Sequence, residues 1–77
     1  MDWQEWVNAE SLPMGERLVF EVTCSYAPGG KDYQLGQATM IDNGRQQIAK
    51  IAGRFHWDYT ILRWAIITHI LPYPPGP

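Results

Sequence analysis

Cysteine is nearly absent from this chain. Cys24 is the single one in 77 residues, so no disulfide can close within the chain. No Cys/His set has the spacing of a zinc site either. Basic charge is scarce: six Lys and Arg stand against eight Asp and Glu, for a net charge of -2. That balance argues against a dedicated nucleic-acid binder, which presents a basic face to phosphates. No apolar run approaches the ~20 residues of a membrane span. The opening Met1-Asp2-Trp3-Gln4-Glu5 is acidic, unlike the cationic start of a secretory signal. A lone thiol without such a signal predicts a reducing, cytoplasmic setting with no membrane partner. No Ser-His-Asp order, carboxylate pair or metal motif stands out, which predicts a protein that is not an enzyme and carries no cofactor or metal.

What is present is aromatic. Four Trp and four Tyr are many for one domain spanning residues 1–77. A chain this short buries only about 60% of the surface its unfolded form exposes. It has no staples, so a homo-oligomer is expected to add buried surface. Rings that such a small core cannot hide predict a binding surface.

The chain divides into a Trp-containing arm and turn (1–16), a β core (17–71) and a Pro-rich tail (72–77). In the arm, Trp3, Trp6 and Val7 have the spacing of one helical face. Either a short helical turn or an extended arm fits, and Pro13 stops any helix. Arg17 to Tyr26 is the clearest strand, with Leu18, Phe20, Val22, Cys24 and Tyr26 expected to face the core and Val19, Glu21, Thr23 and Ser25 to face away. Cys24 then reads as a small buried hydrophobe rather than a reactive thiol. Ala27 to Asp32 is a breaker-rich loop, and Tyr33 to Ile41 is the returning strand. Within it, Gly36 marks a bulge or tight bend. Asn43-Gly44 signals a type I′ turn. Arg45 to Ala52 has helical spacing, yet the turn favours a third strand. Phe55, Trp57 and Tyr59 are expected on one side of an extended segment, with Arg54, His56 and Asp58 on the other. The apolar run from Thr60 to Leu71 exceeds one ordinary strand, so Trp57–Arg63 and Ala65–Leu71 are expected to be separate or sharply bent. The sum is a mainly β domain of three to five antiparallel strands with at most one short helix, on the plan of an open SH3-like barrel.

The two ends carry a resemblance. Trp6-Val7-Asn8-Ala9-Glu10-Ser11-Leu12-Pro13 and Ile67-Thr68-His69-Ile70-Leu71-Pro72-Tyr73-Pro74-Pro75 resemble the ends of a family of small bacteriophage and prophage proteins of unknown function. Members open with Trp and Leu-Pro and close with Val/Ile-Thr-His and a run of prolines. The matching residues are Trp6, Leu12, Pro13, Thr68, His69, Pro72, Pro74 and Pro75. Ile70 replaces the family's usual Trp, and Tyr73 its usual Leu. The resemblance implies phage accessory cargo that sits among anti-defence genes, and it carries over no catalytic residue. The matched set reads as architectural, with the tail packing back on Trp3 or Trp6.

Three functions are open. The first is a non-enzymatic accessory protein that inhibits a host process by binding a host protein, such as a component of a CRISPR effector or another defence system. The second is an oligomer that sequesters a nucleotide signal, with rings stacking a base and Arg45, Arg54 or Arg63 gripping phosphate. The third is a small hydrolase using His69 or His56. The binding candidates are Arg54, His56, Trp57, Asp58, Tyr59 and Arg63, where an Arg-His-Asp cluster beside three rings suits a phosphate or carboxylate. The same cluster reads equally as a solvated face.

Overall fold

The computed structural model describes residues 1–24 and 29–67. Among these residues, six strands form one open antiparallel sheet in the order β1-β6-β2-β3-β4-β5. They are β1 (Gln4–Glu5), β2 (Leu18–Thr23), β3 (Lys31–Ile41), β4 (Gln46–Ile51), β5 (Arg54–Phe55) and β6 (Ile61–Ile66). Two 3-10 turns, Ala9–Ser11 and His56–Asp58, complete the described structure, with no α-helix among the described residues. The expected mainly β architecture is therefore present. The strand number is higher than expected, because β1 and β5 are two-residue edges.

β2 is central. It pairs with β3 on one side and β6 on the other, and its register with β6 shifts between Glu21 and Val22. β3 is long because it serves two neighbours in turn. Its first half pairs with β2 as far as Gly36, and from Gly36 onward it pairs with β4. An added Cβ at Gly36 would sit 2.3 Å from the Lys50 carbonyl oxygen. Only glycine admits that approach, so Gly36 serves the close passage of β4, and β3 runs through it without a register shift. The β3–β4 turn follows the Asn-Gly signal. Asn43 and Gly44 have φ of 56° and 79°, and the Arg45 N–H donates to the Asp42 carbonyl at 3.1 Å. Residues 46–51 form a strand, as that turn predicts.

One face of the sheet carries the core. Leu18, Phe20 and Val22 of β2 meet Ala38, Ala49, Ile51 and Ile61, and the first 3-10 turn lays Ala9 and Leu12 across them. Trp6, Tyr59, Trp64 and Ile66 close the margins. Asn8 caps that turn, its side-chain oxygen accepting from the Ser11 N–H at 2.9 Å. Gln47 locks the turn to β4 by donating to the carbonyls of Ala9 and Leu12, both at 2.9 Å.

Two expectations are corrected, and of the two readings open for the arm the extended one is found. Val19 and Glu21 were assigned to the solvent side of β2, yet both are buried. β2 has a strand on each edge, and the neighbouring side chains shield its second face. The helical spacing of Trp3, Trp6 and Val7 does not produce a helix. The arm is extended at Gln4–Glu5, so Trp3 and Trp6 point to opposite faces, as a period of two requires. Trp6 packs against Phe20, whereas Trp3 lies beside Tyr33, and Val7 stays exposed. Finally, β6 runs unbroken through Ile61–Ile66, so the expected break between Arg63 and Ala65 is not there. The break lies earlier, at the second 3-10 turn. Tyr26, Thr68, His69, Pro72, Pro74 and Pro75 lie outside the described residues, as does the expected packing of the tail.

Candidate functional site

Two places concentrate polar and aromatic side chains, one on each face. The first surrounds Glu21. Its carboxylate, 2% exposed, receives Arg63 Nε at 3.0 Å and Arg63 Nη2 at 2.9 Å. The Tyr33 hydroxyl donates to the same carboxylate at 2.9 Å, and Lys31 Nζ stands 3.9 Å away. These partners come from β3 and β6, which flank Glu21 in register: Tyr33 and Arg63 are both paired opposite it. The Trp3 ring covers the guanidinium, 4.5 Å from ring centroid to Arg63 Cζ. The two bonds from Arg63 hold the Glu21 carboxyl below the usual carboxylate range against the opposing effect of burial, and Tyr33 adds to the lowering. Donation to Glu21 raises the Tyr33 phenol above its ordinary value, with burial acting in the same direction. The Arg63 guanidinium is likewise held protonated more firmly by Glu21. Every buried side-chain polar atom among the described residues has a hydrogen-bond partner. The cluster is a saturated network that ties three strands and the arm together.

The second place is the corner made by β5 and the second 3-10 turn. Phe55 and Trp57 stack with ring centroids 4.7 Å apart and planes 28° from parallel. Both are exposed, Trp57 by 55%. The turn is stabilised by Asp58, whose Oδ2 accepts the Phe55 N–H at 3.1 Å. Beside the stack lies a cleft of about 390 Å³, lined by Arg54, Trp57, Asp58 and Tyr59 together with Asp32 and Gln34 of β3. Tyr59 also turns into the core margin, its hydroxyl donating to the Ile51 carbonyl at 3.3 Å.

The predicted set is thus divided. Arg54, Trp57, Asp58 and Tyr59 come together around the cleft. His56 does not join them in an Arg-His-Asp cluster. Its Nδ1 accepts the Ala49 N–H at 3.1 Å, and its ring packs against Trp6 and Trp57. The imidazole therefore occupies an edge position on β4 that a strand carbonyl would otherwise fill. Arg63 belongs to the Glu21 network on the other face. The three rings expected on one side are also separated, because a 3-10 turn has no period of two. Phe55 and Trp57 stack outward, and Tyr59 turns inward.

Sequence reasoning missed Glu21, Tyr33 and Trp3 as a unit, and Asp32 and Gln34 as cleft walls. One signal for Glu21 was available: an acid in the middle of the apolar run Leu18–Val22 needs a cation from a neighbouring strand. Asp32 and Gln34 share the β3 face that also carries Gly36 and Ala38, which places them on the core side at its open end.

No helix of the described residues is long and apolar enough to cross a membrane. The described residues hold no group of three or more His, Cys, Asp and Glu able to bind a metal. Among known proteins, no family model, no curated protein and no solved structure matches the chain.

Proposed function

We propose that this chain is a non-enzymatic binding protein that acts by covering part of a partner protein's surface with its β5 corner. The observation that carries the proposal is the solvent-facing Phe55–Trp57 stack beside Arg54. Trp and Arg dominate the energetics of protein interfaces, because they bury large area and recruit directional bonds. The Arg54 side chain makes no hydrogen bond or ion pair with the described residues, so it is available to a partner. The saturation of the Glu21 network supports the non-catalytic part of the reading, since its carboxylate is already bonded to Arg63 and Tyr33.

The resemblance at the chain ends extends this proposal. On that reading the partner is a host protein, a defence-system component such as a CRISPR effector, and the chain is a phage-type inhibitor working in the host cytoplasm. The acidic balance suits a protein that competes for a basic surface. The nucleotide-sequestering alternative ranks second. Asp32 and Asp58 outnumber Arg54 around the cleft, and that charge set opposes a phosphate.

The test is affinity capture from bacterial lysate with the full chain and with a Phe55→Ser, Trp57→Ser double variant. The expected result is one partner enriched by the native chain and lost by the variant, while both proteins melt alike. Equal capture by the two would refute the proposal.

A further inference from the structure

We infer that the cleft beside Trp57 receives a basic side chain, Lys or Arg, projecting from the protein partner. This rests on reading the β5 corner as a protein-binding surface and names the chemistry of what it binds. Two carboxylates, Asp32 and Asp58, border the cleft, and neither forms an ion pair with the described residues. Both are held in place by bonds that leave acceptor capacity unused. Asp32 Oδ1 accepts the Tyr33 N–H at 2.9 Å and Oδ2 accepts from Gln34 Nε2 at 2.9 Å. Asp58 uses only Oδ2, toward the Phe55 N–H. A carboxylate oxygen takes about two hydrogen bonds, so each of these groups can receive a cation without losing its own anchor.

The walls fit the same ligand. Trp57 and Tyr59 line the cleft, and aromatic rings attract cations. The volume, about 390 Å³, lies near the lower end of ligand clefts and suits a single long side chain. Arg54 is the cation at the border, set against two acids. Lys31 belongs to the opposite face, where it stands 3.9 Å from Glu21. The balance is therefore anionic.

Arg54 makes the inference sharply testable, because its removal has opposite effects for ligands of opposite charge. The probe is the pentapeptide Gly-Arg-Lys-Arg-Gly, titrated into the full ¹⁵N-labelled chain, with Gly-Glu-Asp-Glu-Gly and adenosine monophosphate as comparisons. The expected result is movement of the Trp57 indole and the Thr60 amide with the basic peptide alone. Asp32→Asn with Asp58→Asn keeps an oxygen for each backbone N–H and removes both charges. It should weaken binding roughly 3- to 10-fold, as the loss of two exposed ion pairs implies. Arg54→Gln should leave affinity unchanged or raise it. Three results would each overturn the inference: no movement with the basic peptide, binding insensitive to the Asn pair, or binding of the monophosphate that Arg54→Gln abolishes. If the peptide fails while the Phe55→Ser, Trp57→Ser variant still loses its captured partner, only this inference falls. If capture ignores that variant, the proposed function falls with it.

Discussion

Substituting Gly36 by alanine tests the whole sheet plan. Gly36 is the residue at which β3 passes from β2 to β4, paired to Leu18 on one side and Ile51 on the other. An added Cβ would lie 2.3 Å from the Lys50 carbonyl oxygen, 3.0 Å from Ile51 Cα and 3.2 Å from Ile51 Cγ1. Real Cβ contacts essentially never fall below 3.0 Å, so β4 must retreat by the difference, about 0.7 Å. The atom in the way is main chain and cannot swing aside as a side chain would. Forcing a methyl into such a site costs about 1–3 kcal/mol. Alanine also removes freedom from the unfolded chain, which returns about 0.4–1 kcal/mol. The net expectation is a loss of about 1–2 kcal/mol, from a total that for this length is roughly 4–12 kcal/mol. For a domain of this size each kcal/mol lowers Tm by about 4–8 °C, so Gly36→Ala should melt roughly 5–15 °C below the native chain. Circular dichroism melts and urea titrations read both quantities. Gly15→Ala is the comparison: nothing lies within 4 Å of its added Cβ, and the strain comes only from its φ of +80°. That left-handed backbone costs an alanine roughly 1–2 kcal/mol without any clash. The two variants therefore differ in kind: Gly36→Ala should weaken amide-exchange protection along β3–β4, and Gly15→Ala should not. A Gly36→Ala chain that melts with the native one, its β3–β4 protection intact, would refute the close-approach reasoning.

Two further outcomes follow from the packing and the charges. Glu21 is more acidic in the folded state than in the unfolded chain, so the unfolded state binds more protons as pH falls past the ordinary carboxylate value of 4.5. Its contribution is present above that pH and is lost as pH drops through the lowered folded value. The stability gap between the native chain and Glu21→Gln, read by urea titration from pH 7 to pH 3, should therefore close at the acid end, and a gap independent of pH would contradict the assignment. Gln47→Ala removes the side-chain donor to the Leu12 carbonyl and one of the two donors to the Ala9 carbonyl, and should cost about 1–3 kcal/mol in the same assay, with hydrogen exchange rising first in the Ala9–Ser11 turn.

Much of the sheet was legible from local chemistry. The alternation of Leu18, Phe20 and Val22 marks the core face of β2, and Asn43-Gly44 marks the turn that makes residues 46–51 a strand despite their helical spacing. Gly36 marks the close passage of β4. What was not legible depends on neighbours distant in sequence. Glu21 reads as a solvent-side residue until β3 and β6 bring Tyr33 and Arg63 to it. Trp3 and Trp6 fit a helical turn or an extended arm until β1 joins β6 and sends them to opposite faces. The candidate site divides in the same way. Arg54, Trp57, Asp58 and Tyr59 are local and were found together. Asp32 and Gln34 arrive from β3, and His56 leaves the group because a 3-10 turn aims its ring at Ala49.

The strand order has a consequence for how the molecule is made. β6 sits between β1 and β2, so these two strands, neighbours in sequence, have no direct partnership and are joined only through β6. A nascent chain can form the β2-β3-β4 meander early, but one margin of β2 stays bare until residues 61–66 emerge. Non-local pairing of this kind slows folding and prolongs exposure of an unpaired margin. The native sheet is therefore complete only once β6 has docked between β1 and β2.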